Sequence, residues 1–225
     1  MSPSSALFGS ELSSMKKSPR QRRSAETVQR IQDALLELID EEGYAAASTN
    51  RIASRAGVNI ASLYQYFPNR LAIAMALFER VAAELAQLVH REMLEGMTEP
   101  LETGVPRLID RLLRFMEKEQ AALNLIDEVP ELRESAQAMS LENLARDTSL
   151  TFLKVHLSGQ DSSAINCKLF FVQTASMALV RRYVRDRPAD LSRERFVAEI
   201  SGMIVSYLQA PQKKLAAAAV LRRRR

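Results

Sequence analysis

The segment Thr49–Arg70, TNRIASRAGVNIASLYQYFPNR, sets two short amphipathic stretches on either side of Gly57-Val58. Ser48 or Thr49 can cap the first stretch, which carries Ile52, Ala53 and Ala56 inward. Asn59 is a good cap for the second, Ile60 to Tyr66, which must stop before Pro68 because the residue preceding a proline disfavours helix. Ala53 and Gly57 are small where the two helices approach, and Ile52, Val58 and Leu63 are the inward anchors. This is helix-turn-helix spacing, in which the second helix enters the major groove and the first crosses the phosphate backbone. The outward face would show Ala61, Ser62, Gln65 and Tyr66, with Tyr64 at its edge. None of these is acidic, and Ile60 and Ala61 can meet a thymine methyl. Thr49 and Asn59, at helix starts, mark backbone N–H groups able to receive a phosphate.

Working outward, an upstream helical pattern starts at Ser24, repeats through Val28, Ile31, Leu35, Leu38 and Ile39, and ends at Glu42-Gly43. Downstream, a long pattern runs from Asn69 to about Gly96, followed by patterns near 105–127, 131–157, 162–186 and 192–209. The breaks fall at Pro100, Gly104, Pro106, Pro130, Gly159, Pro188 and Pro211. The expected fold is all-α, about nine helices, with a three-helix head (23–70) on a larger helical body (71–210). A disordered basic arm (1–22) precedes it and a basic tail (211–225) follows.

The composition agrees. With 7 Gly and 8 Pro in 225 residues, the chain has little of the turn chemistry that many short strands need. The single Cys167 excludes an internal disulfide framework, and His90 and His156 lie too far apart for a paired-histidine metal motif. No nucleophile elbow, glycine-rich phosphate loop or metal spacing is present, so no enzyme and no cofactor are expected. No apolar run approaches the ~18 residues of a membrane span, and the N-terminus lacks a signal-peptide core. The expectation is a cytoplasmic chain without a membrane partner.

Charge separates the ends from the middle. Residues 1–30 carry +4 and residues 211–225 carry +6, which leaves −6 for residues 31–210. Between Gly43 and Phe78 there is no acid at all, while Arg51, Arg55 and Arg70 are present. Basic arms flanking an acid-free segment suit a polyanion, because each neutralised phosphate releases a condensed counterion. Basic ends serve equally as solubilising tails.

The stretch from residue 24 to about 80 resembles the DNA-binding head of the TetR family of bacterial transcriptional regulators. The residues that carry the likeness are IASRAGV (Ile52 to Val58), the Leu63, Tyr64, Tyr66 and Phe67 of LYQYF, and Pro68-Asn69-Arg70, after a helix ending Glu42-Gly43-Tyr44. The resemblance implies a phosphate contact for the threonine that starts the second helix, here Thr49, and for the second tyrosine of LYQYF, here Tyr66. It implies a backbone contact for a lysine that begins the fourth helix, where this chain has Arg70, a residue able to grip phosphate in bidentate fashion. Base reading is implied at Ile60, Ala61, Ser62 and Tyr64, with Asn50 and Arg51 assisting. Leu71 and Ala72 follow Arg70 where the family usually places acidic and small residues. Packing with a wet hydroxyl is the other reading of both tyrosines, and a solvated face is the other reading of Arg51 and Arg55.

The resemblance also implies a body that dimerises and often holds a small molecule. Candidate dimer contacts are Leu169, Val172, Leu179, Tyr183, Ile200, Ile204 and Tyr207, which monomer-core packing explains as well. Candidate lining for a hydrophobic effector is Phe115, Met116, Met139, Phe152, Phe170, Thr174 and Met177, which plain core packing also explains. Cys167 reads as a small buried hydrophobe. The expected function is a sequence-specific, ligand-responsive repressor that binds a palindromic operator in double-stranded DNA as a homodimer. The alternative is a non-specific DNA-binding or helical interaction protein without an inducer.

Overall fold

The computed structural model describes residues 22–134 and 136–210, with no side-chain detail for 22–23, 126–127 and 133–145. The arm (1–22, apart from the backbone of Arg22), the tail (211–225) and the side chain of Met139 therefore lie outside the described residues. The described residues form ten α-helices and no strand. They divide into two compact units, one of residues up to Ala82 with Ala121–Ala138, the other of Ala83–Gln120 with the chain from Met139 onward.

In the first unit α1 (Arg22–Glu42) buries Val28, Ile31, Leu35, Leu38 and Ile39, the three- and four-residue steps of one helix face. Gly43 stops it at φ 82°, a left-handed conformation that costs a glycine no Cβ clash, and its N–H returns to the Ile39 carbonyl at 2.9 Å. A single 3-10 turn, Tyr44–Ala46, leads to α2 (Thr49–Arg55). The cap of α2 is Ser48, not Thr49: Ser48 Oγ accepts from the Arg51 N–H at 3.3 Å. Gly57, at φ 62°, turns the chain, and Asn59 Oδ1 caps α3 (Ile60–Tyr66) by accepting from the Ala61 N–H at 2.8 Å. Ile52, Leu63 and Phe67 are fully buried where the two helices meet. Asn69 Oδ1 accepts from the Ala72 N–H at 2.9 Å and so starts α4 (Arg70–Glu95). The first turns of α4 belong to this core, since Ile73, Ala74 and Leu77 are fully buried. So do α6 (Gln120–Glu128) and α7 (Pro130–Glu134), through Ala122, Leu125, Val129 and Leu132. The sequence break after Arg70 thus falls inside a compact unit.

In the second unit, which also takes in α4 from Ala83 and α8 (Ala136–His156) from Met139, α5 (Leu101–Lys118) packs against α9 (Ser162–Asp186) and α10 (Arg193–Gln209). Its apolar stripe, Val105, Ile109, Leu112, Leu113 and Met116, meets Phe196, Ile200, Ile204 and Leu208 of α10 and Leu169, Val180 and Val184 of α9 in one core. Polar clamps fix both ends of the antiparallel α5–α10 pair. Arg193 donates to Asp110 at 2.9 Å and Glu117 at 2.7 Å, and Gln209 donates to Glu102 at 2.6 Å. The α9–α10 pair is fixed by the Tyr183 and Phe196 rings, stacked at 4.2 Å, and by the buried Lys168, whose ammonium donates to the Leu208 and Ala210 carbonyls. That cation at the end of α10 satisfies carbonyls left over by the helix and complements its dipole, while burial lowers the lysine pKa.

Three expectations are corrected here. The helix expected over 105–127 starts earlier and breaks at Glu119, which is buried and paired with Lys118 at 2.8 Å. Pro106 lies inside α5 rather than ending it, forgoing only its bond to the Glu102 carbonyl. The helix expected over 131–157 is α7 and α8, with Pro130 opening α7, where its missing N–H costs nothing. The expected absence of an unbroken apolar run stands, since polar residues interrupt α9, although by length and average composition alone this helix could cross a membrane.

Candidate nucleic-acid interface

The outer face of α2 and α3 carries two hydroxyls in contact. Thr49 Oγ1, in the first turn of α2, lies 3.1 Å from Tyr64 Oη of α3. Tyr64 is 42% exposed, and Ala61 and Gln65 are exposed beside it. Asn50 is exposed on the first turn of α2. Ile60 and Ser62 are half-buried, so they offer only an edge. Tyr66, expected on the outward face, is buried with 8% exposure. The physical reason is helical: Leu63, Tyr66 and Phe67 fall at three- and four-residue steps on the inward side, and Tyr64 takes the outer position. Caps occupy two of the N–H groups expected to receive phosphate, that of Arg51 by Ser48 and that of Ala61 by Asn59.

The arginines of the segment are engaged within the chain. Arg55 holds Glu41 through two contacts of 2.8 and 2.7 Å and reaches Glu37 at 3.2 Å. Arg51 grips Glu42 through both terminal nitrogens and donates to the Ala46 carbonyl at 3.0 Å. These hydrogen bonds hold the carboxyls of Glu41 and Glu42 below the ordinary range and raise both guanidinium values. The Arg70 guanidinium carbon lies over the Tyr44 ring, 4.1 Å from its centre, and its nitrogen donates to the Tyr44 and Ala45 carbonyls at 2.9 and 3.1 Å. The Tyr44 N–H in turn donates to Glu128 at 3.3 Å. Burial, opposed by Arg70, raises the phenol of Tyr44. Arg70, expected on phosphate, is thus a brace for the turn between α1 and α2. The sequence pattern did not pair Arg70 with Tyr44, nor Arg51 and Arg55 with carboxylates of α1. A signal for the partners exists: Glu37 and Glu41 repeat at four residues on α1, as Arg51 and Arg55 do on α2.

In the second unit Met116 and Phe152 are buried, whereas Phe115 and Met177 are half-buried. Phe170 and Thr174, expected beside them, stand on the outer side of α9, with Phe170 63% exposed. Conversely Leu169, Ile200 and Ile204, expected at a subunit interface, are each 3% exposed and belong to the chain's own core. The reason is the stripe Ile165, Leu169, Ser176, Val180 and Val184, which turns positions 170, 171, 174 and 179 outward. Tyr183 is half-buried and bonded to the Leu191 carbonyl at 3.1 Å, whereas Val172 and Tyr207 are half-buried and Leu179 is exposed. Cys167 is exposed, not buried. Among the described residues no group of three metal-ligating side chains occurs.

Two capped short helices crossing at Gly57, with an acid-free polar edge, define a helix-turn-helix DNA-binding module. Residues 31–77 match the model of the bacterial regulatory proteins of the tetR family, and residues 100–208 match that of a tetracyclin repressor-like C-terminal domain. A transcriptional repressor of helix-turn-helix type, KstR of Mycolicibacterium smegmatis, is 32% identical over 149 residues, covering 60% of this chain and 70% of that protein. The nucleoid occlusion factor SlmA of Glaesserella parasuis is 27% identical over 112 residues; the match covers 49% of this chain and about half, 52%, of that relative's length. Among solved structures, FadR of Bacillus subtilis in complex with stearoyl-CoA shares the fold at a TM-score of 0.56 and 21% identity, over 80% of this chain and 96% of that one. The chain belongs to the TetR family of DNA-binding transcriptional regulators.

Proposed function

We propose that this protein is a cytoplasmic, non-enzymatic repressor that binds a palindromic operator as a homodimer and releases it when a hydrophobic effector occupies the body. The observation that carries the reading is the α2–α3 edge, where the Thr49–Tyr64 hydroxyl pair stands beside exposed Ala61 and Gln65 in a segment without acids. On duplex DNA the hydroxyl pair grips a strand, taking the phosphate role first expected of Tyr66, while Ala61 and Gln65 face base edges and Ser62 and Ile60 flank them. Asn50 assists from α2. The dimer forms through the outer face of α9 and α10. There Phe170, Phe171, Leu179 and Met203 are 63, 54, 39 and 46% exposed, and Phe171 contacts the rings of Phe170 and Tyr207. Two heads related by a twofold axis would read half-sites about 34–36 Å apart, or a multiple of that.

For the effector, the buried Met116 and Phe152 and the half-buried Phe115 and Met177 supply adaptable apolar side chains, and the stearoyl-CoA bound by FadR supports a long-chain acyl thioester as the class to try. An effector that prefers the DNA-incompetent state by about 2 kcal/mol weakens operator binding roughly thirtyfold. The test is selection of bound duplexes from a random pool, repeated with long-chain acyl-CoA. A palindromic consensus that is depleted on adding the acyl-CoA is the expected result. Flat affinity across duplexes would instead establish the non-specific DNA-binding alternative.

A further inference from the structure

The grip of Glu42 on Arg51 has a consequence for DNA binding that rests on the reading above. Arg51 sits in the first turn of α2, two residues beyond Thr49 and next to exposed Asn50. It is the cation closest in sequence to the proposed strand-gripping pair. Its guanidinium is not buried: the side chain is 42% exposed, and that of Glu42 is 45% exposed. Both carboxylate oxygens of Glu42 take hydrogen bonds from the terminal nitrogens, the same two-point geometry a phosphate would offer. One further bond, to the Ala46 carbonyl at 3.0 Å, keeps the arm placed without neutralising it. Because both partners lie at the surface, exchanging the carboxylate for a phosphate requires no repacking of the core.

We propose that Glu42 is an internal phosphate mimic, a residue that sets the affinity and salt dependence of DNA binding by competing with the strand for Arg51. The wild-type head then neutralises one phosphate fewer than its arginines would allow. Removing the competing charge adds one released counterion on binding.

The test measures binding of the full-length protein to a random-sequence duplex and to a selected duplex by fluorescence anisotropy across a salt series. Glu42→Gln, which keeps an acceptor for Arg51 but no charge, is expected to bind about threefold to tenfold more tightly at about 0.1 M salt, and to steepen the log–log salt slope by about 0.9. Two further variants separate competition for Arg51 from a diffuse loss of negative charge. In an Arg51→Met background, Glu42→Gln should change affinity less than twofold. Glu41→Gln, an equal loss of charge one residue away and paired with Arg55, should leave the slope unchanged. An equal gain from Glu42→Gln with and without Arg51, an equal slope change from Glu41→Gln, or no change from Glu42→Gln each overturns the proposal while leaving the regulator reading intact. A wild-type protein that binds neither duplex overturns both.

Discussion

Arg70 shows how one side chain changes role with its neighbours. A cation at the start of the fourth helix resembles a phosphate contact when only its own segment is read. Folding brings it to Tyr44, 26 residues earlier, where its guanidinium sits over the ring and its N–H groups donate to two carbonyls of the turn. Local pattern carries no trace of that meeting, because nothing about position 44 announces which distant residue will lie over it. Arg70→Ala removes the cation–π contact and the guanidinium bonds to the half-buried Tyr44 carbonyl, which keeps the Ala47 N–H, and to the exposed Ala45 carbonyl, so a loss of about 1–2 kcal/mol of stability is expected in urea unfolding followed by circular dichroism. Its salt slope for DNA should equal that of wild type. A slope shallower by about 0.9 with stability unchanged would return Arg70 to the phosphate backbone.

At the level of elements, what could be read from the sequence is what local chemistry decides. Gly43, Asn59 and Pro68 fixed the end of α1 and both limits of α3, because a left-handed stop, a side-chain cap and a pre-proline restriction each act within a few residues. The burial of Tyr66 was less visible, since two tyrosines two positions apart differ only in which side of a seven-residue helix they occupy. The break at Glu119 was invisible for another reason: a buried acid paired with its own neighbour leaves the apolar period almost intact. The cap of α3 offers a way to separate fold from contact. Asn59→Ala loses the acceptor for the Ala61 N–H and should cost about 1 kcal/mol. Asn59→Asp keeps that acceptor and should retain thermal stability, yet it sets a negative charge at the strand and should weaken all duplexes alike in the anisotropy titration. Equal binding by Asn59→Asp and wild type would place the start of α3 away from DNA.

For the whole molecule the decisive feature is that α9 is apolar on two sides. One side, Leu169, Val180 and Val184, fills the chain's own core against α5 and α10. The other leaves Phe170, Phe171 and Leu179 exposed, which is why this helix is so apolar on average and why its contacts could not be sorted from sequence. Periodicity identifies apolar residues but does not say whether a face meets the same chain or a second copy. The proposed twofold partner would account for both facts, because a self-complementary apolar patch would be buried once for each subunit. The two faces therefore respond to opposite measurements. Phe171→Asp, at a side chain already half in water, should leave the thermal midpoint of the subunit near wild type, yet sediment as a monomer at micromolar concentration and lose affinity for a full palindrome far more than for a single half-site. Leu169→Ala, inside the core, should cost about 2–5 kcal/mol in unfolding and still sediment as a dimer wherever it is folded. If Phe171→Asp remains dimeric, the outer face of α9 is not the subunit contact, and the spacing expected between half-sites loses its structural basis.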